Sequence, residues 1–553
     1  MKINKAAGID KIKAEQLKYG PEAVDIEIAQ ILNDIAATGA HPREIKLGVL
    51  TALQKPKKKV GPCSSLRPIV LLSMLRKILA IIMIERVGEK IQNEIPVTQA
   101  AYRKGRSTTE HVMAFKLMAE KAITSDDYEI YILMMDMSRA FDTVDRNLLM
   151  NDLESILEED ELHMIKILLE NVSLVVKCGD TLGKEFVTDM GSPQGDCISP
   201  ILFTLYLAKA LVEDVEAMAE EIAPSVESAD HMYNTALNTT PSLTDTSHDH
   251  AYSHFNHRNT MRNESEENLE NLELQYADDI NYICENYAIV EAHKRAIPPK
   301  LEKRKLLCNH SKDEEYRISR RKYDPSQCVN CSACGRCGDC KKCKECMYCK
   351  DWKSCKCLGS MIDTSADIKR RKSLSIDAMN KLKHVWKNKR VKTCTKLKIF
   401  NAYITSIFLY NSELWSLNSS LEGAVDAFQR RLLRKMLNIT WPKKISNEKL
   451  SNITKAIPWS QVIANRRLRW FGHLVRLPEG APAKLALKEA ERDAPMPRGR
   501  RKTTWLEVMK KQLTTLEFTY KQAKSCAQDR DYWRQLCWKT RPQWEKHSRP
   551  LEQ

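Results

Sequence analysis

The alternation of apolar and polar positions changes period several times along the chain, and each change marks a different element. Glu129 to Asp136 is a continuous apolar run of strand length that ends in an acid, the pattern of a strand buried on both faces. Leu272 to Ile283 reads as two short apolar strands flanking Ala277-Asp278-Asp279, which predicts a hairpin with two acids at its tip. Ser173 to Lys177 is strand-like, Asn147 to Leu157 is helical, and residues 1–130 are mostly helical in period. Helical spacing returns from Ile368 to Leu437, for instance at Ile376, Met379, Leu382 and Val385. Residues 223–270 break the pattern: they are rich in Ser, Thr, Asn and His, poor in aliphatics, and read as a weakly ordered loop.

The acids change the picture first. Carboxylates at the ends of buried strands are costly unless a cation sits beside them. Asp136, Asp278 and Asp279 are hard oxygen donors on rigid elements, the ligand type that Mg²⁺ prefers in phosphoryl transfer. Taken singly, each reads better as a solvated turn acid; only their joint context favours the ligand reading. Composition points the same way. Lys and Arg outnumber Asp and Glu by 88 to 72, for a net charge of +16, which favours a polyanionic partner such as nucleic acid over an acidic or membrane-spanning class. The first residues lack the apolar core of a signal peptide. No uncharged apolar stretch is long enough to span a membrane. The expectation is an intracellular protein, nuclear or cytoplasmic, with no membrane partner.

Three strings, in order, carry a family resemblance: Asp136-Met137-Ser138-Arg139-Ala140-Phe141-Asp142, Gly191-Ser192-Pro193-Gln194-Gly195-Asp196 and Tyr276-Ala277-Asp278-Asp279. They resemble motifs A, B and C of reverse transcriptases. Asn4 to Asp10, Leu66-Arg67-Pro68-Ile69, Gln99 to Thr108 and Leu358-Gly359-Ser360 resemble the non-LTR (LINE-type) retrotransposon branch. Tyr-Ala-Asp-Asp alone is a weak signal; the ordered set is a strong one. The resemblance spans roughly residues 1–480.

It implies an α+β, right-hand polymerase with an antiparallel palm sheet, helical fingers and a helical thumb. Residues 1–130 would be fingers and the start of the palm, and 131–360 palm with inserts at 223–270 and 328–357. Residues 361–480 would be thumb and connection, and 481–553 a basic C-terminal tail. The implied activity is RNA-directed DNA synthesis: extension of a primer 3′-OH with dNTPs by two-metal phosphoryl transfer, using Mg²⁺ or Mn²⁺. Partners would be template RNA and a DNA primer or nicked target DNA; nothing in the sequence sets an oligomeric state.

By the same resemblance Asp136 and Asp278 are metal ligands and Asp279 a supporting carboxylate. Phe141 is a ring that excludes a ribose 2′-OH, or else a core aromatic. Arg67, Gln194 and Gly195 would face the nucleotide, with Gly191 and Gly195 allowing close backbone approach and Pro193 stiffening the turn. Arg103, Lys104 and Arg106 would contact template phosphates, or else form exposed ion pairs. Asp142 reads best as the cap of the following helix. Lys55 to Val60 reads as a basic loop near the template, or as an import signal. Lys312 stands roughly where the family carries a lysine that protonates pyrophosphate, though its flanks fit poorly.

The least expected segment is 328–357. Cysteines recur at 328, 331, 334, 337, 340, 343, 346 and 349, followed by Cys355 and Cys357. Each neighbouring pair in the ladder has zinc-ligand spacing, but a uniform triplet ladder has no preferred register. Bound zinc stays open; an unstructured, oxidation-prone insert is preferred. Further on, Gln429 to Leu437 reads as an amphipathic helix with a basic face. Arg466 to His473 mixes arginines with Trp470 and Phe471, as single-strand RNA binders do and as buried anchors with solvated arginines also do. Pro497 to Lys502 resembles a minor-groove hook with Arg501 where proline is usual. The motifs begin near Met1 and no zinc knuckle follows the thumb region, so the sequence offers no visible means of nicking DNA. Two rivals remain: an inactive or domesticated nucleic-acid-binding remnant, and an RNA-dependent RNA polymerase.

Overall fold

The computed structural model describes residues 3–55, 59–126, 128–212, 271–320, 351–439, 441–492 and 502–539. The polar loop at 223–270, the cysteine ladder at 328–349 and most of 497–502 lie outside these residues.

A four-stranded antiparallel sheet forms the centre. Its order is Glu314–Ile318, Ile130–Met135, Asp279–Cys284, Asn271–Tyr276. The run at 130–135 has no polar alternation because both faces are covered. Tyr131, Leu133 and Met135 point into a core shared with the helices Met74–Glu94 and Ser199–Val212. Ile130, Ile132 and the half-buried Met134 point the opposite way, towards the helix Thr108–Thr124.

A second sheet lies towards the N-terminus. Leu47–Gln54 pairs antiparallel with Leu66–Leu71 and parallel with Val172–Cys178. The reading of residues 1–130 as mostly helical lacks these two strands. Leu47–Gln54 is buried at its start and exposed at its end, and Leu66–Leu71 is mostly half-buried, so neither alternates cleanly and the long helices around them dominate the periodicity. The expected helix at 147–157 is shorter, Arg146–Glu154. Its cap is Asp145, which accepts from the backbone N–H of Asn147 (2.9 Å) and Leu148 (3.2 Å). Asp142 therefore does not cap it; it sits in the tight turn Ala140–Asp142, where burial raises its carboxyl.

Residues 364–463 build a separate aromatic core in which Phe408 stacks on Trp459 at 4.3 Å, with Trp386, Phe400, Trp415 and Phe428 around them. The predicted amphipathic helix is Ser419–Met436; Val425, Phe428, Leu432, Leu433 and Met436 are buried, and Arg431 and Lys435 are exposed.

The expectation of a basic tail from residue 481 is also corrected. Pro482–Glu491, Trp505–Thr515, Tyr520–Gln528 and Arg530–Lys539 are helices. They bury Trp505 and Trp533 in the core behind the central sheet. Their basic residues are on the outside, so charge density concealed the apolar face. No helix among the described residues is long and apolar enough to cross a membrane.

Two buried histidines brace the sheet. His293 stacks on Tyr282 at 3.9 Å and its Nε2 lies 3.1 Å from Asn271 Nδ2. Burial, with Lys300 nearby, lowers its pKa to about 4; burial, with Arg106 nearby, lowers that of His111 to about 3. The unfolded chain binds these protons near the ordinary imidazole value, so stability is intact above about pH 6.5 and falls as pH drops towards these folded values, by roughly 1.4 kcal/mol per unit per ring. Urea titrations at pH 7.5, 5.5 and 4.5 should record this, and His293→Gln should flatten the slope. Parallel pH slopes for the two proteins would contradict the assignment.

Candidate active site

The strand Ile130–Met135 delivers Asp136 at its C-terminal end. The hairpin delivers Asp278 in its turn and Asp279 as the first residue of the return strand, paired with Tyr276. Because Met135 is in register with Ile280, the three carboxylates collect at one end of the sheet. Their electrostatics carry the mark of that crowding. Burial, then the charges of Asp278 and Asp136, push Asp279 up to about 6. Burial, with Asp136 adding to it, raises Asp278 as well. Lys312 and Arg67 offset part of this at Asp278, and Lys312 and Lys356 at Asp279.

Asp136 is held from the Asn309–Asp313 loop. Lys312 Nζ forms an ion pair with Asp136 Oδ2, Asn309 Nδ2 donates to the same oxygen at 3.4 Å, and the Asp136 N–H donates to Asp313 Oδ1 at 3.4 Å. Among the described residues no three Asp, Glu, His or Cys side chains converge into a ready-made metal site. The donor set nonetheless fits Mg²⁺, which keeps only one or two protein carboxylates and takes its other ligands from water and substrate phosphates.

Beside the acids runs the loop Gly191 to Asp196. Gly195 has φ +129° and lies against the strand Leu66–Leu71, where an added Cβ would come within 2.4 Å of Val70 O. The Val70 N–H donates to Gln194 O at 2.8 Å, so loop and strand behave as one surface. Gly191, at φ +79°, lies against the Asp142 backbone, where an added Cβ would come within 2.8 Å of Asp142 O. Arg146 grips the loop start through Gly191 O (2.9 Å) and Met190 O (3.1 Å). The loop end is fixed by a wholly buried ion pair, Arg76 Nη2 to Asp196 Oδ2 at 2.7 Å. Phe141 packs at the loop's edge, half-buried and stacked on Phe203 with centroids 4.4 Å apart.

Residues 55–221 match the family described as Reverse transcriptase (RNA-dependent DNA polymerase). Those residues form a reverse transcriptase domain. The match covers Asp136, Phe141 and the 191–196 loop and ends before the hairpin that carries Asp278 and Asp279. Among curated relatives, the "Probable RNA-directed DNA polymerase from transposon BS" of Drosophila melanogaster is 26% identical over 39% of this chain and 24% of that protein. The "Probable RNA-directed DNA polymerase from transposon X-element" of the same organism is 28% identical over 37% of this chain and 22% of that protein. The chain thus spans about a quarter of the length of the relatives it matches. Apo telomerase from Candida tropicalis overlays 84% of this chain and 74% of that one at 11% identity, with a TM-score of 0.34, too loose a likeness to bear on function.

The reverse transcriptase frame separates the basic residues by what they touch. Arg67 is exposed on its strand and its charge reaches Asp278. Lys104 is exposed. Arg103, expected to meet template phosphate, instead donates to Pro96 O (2.8 Å), Ile95 O (3.2 Å) and Gln92 O (3.3 Å). Arg106 forms a buried ion pair with Glu110 at 2.5 Å and donates to Val97 O at 3.0 Å. Both guanidiniums are engaged by carbonyls of residues 92–97, where the preceding helix ends, and by Glu110 at the start of the next, and neither forms the exposed pair that was the alternative. In 466–473, Trp470 and Phe471 are buried anchors, and Arg467 is buried with them, donating to Trp415 O at 3.3 Å.

Cys355 and Cys357, read as the end of the cysteine-rich insert, belong to the fold. Both are buried in the core behind the sheet, and Cys355 Sγ lies 3.8 Å from Met134 Sδ. Lys356 between them faces outward, and its charge reaches Asp279. Sequence reasoning missed Arg76, Asp313, Lys356 and a role for Gln99. Arg76 stands beside Lys77 at the start of an otherwise apolar helix segment, and the sequence gives no signal for which of the two cations is buried.

Proposed function

We propose that this chain is an RNA-directed DNA polymerase of the non-LTR transposon type, extending a primer 3′-OH with dNTPs on an RNA template. The observation that carries this reading is the gathering of Asp136, Asp278 and Asp279 at one sheet end beside a reverse transcriptase domain. In this reading the four-stranded sheet is the palm, the second sheet and its helices are the fingers, and residues 364–463 are the thumb.

Asp136 and Asp278 would hold two Mg²⁺ ions with Asp279 in support; when bound, such ions lower the pKa of the attacking hydroxyl and neutralise phosphate charge. The protein's own groups do the rest. Arg67 approaches from the fingers strand, where a guanidinium can bind phosphate oxygens. The 191–196 loop, stiffened by Pro193 and drawn against Val70, offers Gln194 and Gly195 to the nucleotide and template base. Lys312, paired with Asp136, would be the group that donates a proton to a departing pyrophosphate.

Phe141 decides which nucleotide is used. Its half-buried ring is braced by Phe203, and its exposed edge would meet a ribose 2′-OH. Exclusion by overlap penalises the wrong substrate and leaves the right one nearly untouched. Phe141→Val should therefore raise rNTP incorporation far more than it lowers dNTP incorporation. A core anchor predicts otherwise: lost stability, up to about 3–5 kcal/mol for the alanine change, and weaker use of both nucleotides. Paired dNTP and rNTP titrations with a melting curve discriminate. An unchanged preference in folded Phe141→Val would end the gate reading.

A further inference from the structure

Gln99 lies outside the acidic cluster, wholly buried where the chain enters the loop 99–108. Its backbone is stitched to the edge strand that leads to the acids. The Gln275 N–H donates to Thr98 O at 3.1 Å, and the Ala100 N–H donates to Gln275 O at 3.0 Å. That pairing aims the Gln99 side chain at the hairpin tip. Its Oε1 accepts from the N–H of Ala277 at 3.0 Å and from that of Ala101 at 3.0 Å, while Nε2 donates to Ala277 O at 3.4 Å. One amide thus engages both main-chain polar groups of a single turn residue.

That residue is strained. Ala277 has φ +56°, a left-handed conformation in which a Cβ crowds the neighbouring carbonyl and which only glycine adopts freely. Asp278 follows immediately, so the direction of its carboxylate is set by whether Ala277 keeps this conformation. Left to itself, the turn would relax towards negative φ and rotate Asp278 away from Asp136. The clamp needs a donor and an acceptor at one planar end. A glutamate would accept without donating, and would add a charge beside two acids already held above their ordinary pKa by burial and crowding. An asparagine is one methylene too short.

We propose that Gln99 is a positioning residue: its amide clamps Ala277 in the left-handed turn and so holds the Asp278 carboxylate towards Asp136, where the metal ions would sit. This rests on the polymerase reading above, and it adds a residue that acts on the acids from another segment of the chain.

Three measurements on the full chain test it. In Gln99→Ala, hydrogen–deuterium exchange at the Ala277 amide should accelerate, since its acceptor is gone. The kcat for oligo(dT) extension on poly(rA) should fall about 10–100-fold, the usual cost of removing a group that orients a metal-binding side chain. The KM for dTTP and the template–primer Kd should stay near wild type. The decisive variant is Gln99→Ala with Ala277→Gly. Glycine holds the left-handed turn without help, so the double variant should recover most of the lost kcat. A loss caused by general destabilisation would not be repaired by a glycine in a different segment. Wild-type kcat in Gln99→Ala, or a loss that Ala277→Gly fails to repair, would overturn the proposal. If the wild-type chain extends no primer, the polymerase reading fails, and exchange at Ala277 still tests the clamp: an unchanged rate in Gln99→Ala would overturn it too.

Discussion

Asp136→Asn and Asp278→Asn should each abolish primer extension, by roughly 10²–10³-fold or more on the scale of removing a preorganised charge-stabilising group. RNA affinity should stay within about twofold, because backbone binding is carried by cations contacting phosphates and these acids contact none. The two effects together set the assignment apart from a misfolded variant, which would lose both. Asp279→Asn supplies an internal control. Burial and its neighbours hold Asp279 at about 6, above its ordinary value. The folded state therefore binds this proton more tightly than the unfolded chain does, and the ionised carboxylate costs stability above pH 6, a cost that disappears as pH falls. At pH 8 the Asn variant should consequently unfold later than wild type in the absence of metal. Filter binding, extension and urea unfolding of the three variants cover these points. Near-normal turnover in Asp136→Asn or Asp278→Asn would remove the two-metal assignment.

The largest stability effect should come from Arg76→Met. Arg76 and Asp196 are both fully buried, with Arg76 Nε 2.8 Å from Asp196 Oδ2. Arg76 also donates to Leu168 O at 2.6 Å and Ile45 O at 3.3 Å. One guanidinium therefore ties the 191–196 loop to the start of the second sheet and to the helix end before residue 172. Asp196 has little to fall back on, since its Oδ1 already lacks a partner. Removing one member of a buried pair strands the other charge, at about 3–5 kcal/mol. Arg76→Met with Asp196→Leu takes out both charges and should recover much of that loss. Unfolding of the single and double variants measures the coupling. A loss below about 1 kcal/mol in Arg76→Met, or no recovery in the double variant, would contradict this account of the joint.

What could be read from the sequence follows how local the signal is. The three acids and the glycine loop are short strings whose chemistry sits in adjacent residues, and the sheet end was legible because Ile130–Met135 is too apolar to be anything but a doubly covered strand. The role of Gln99 was not legible. It depends on a contact with Ala277 that only the paired edge at Gln275 creates. Arg103 and Arg106 misled for the opposite reason: arginines in a Gly-containing loop look free until the carbonyls they satisfy are in place. The helices after residue 481 were read as a tail because their lysines and arginines dominate the composition, while Trp505 and Trp533, which anchor them, are single residues far apart in the chain. Cys355 and Cys357 were drawn into the ladder by proximity, although they lie beyond its three-residue repeat.

The most direct test of the central claim is extension of a DNA primer on an RNA template by the full chain. With poly(rA)·oligo(dT), dTTP and Mg²⁺, the account predicts a ladder of products that disappears with chelator and in Asp278→Asn, and that ribonucleotides do not support. No extension by a folded protein that binds the template–primer would contradict it.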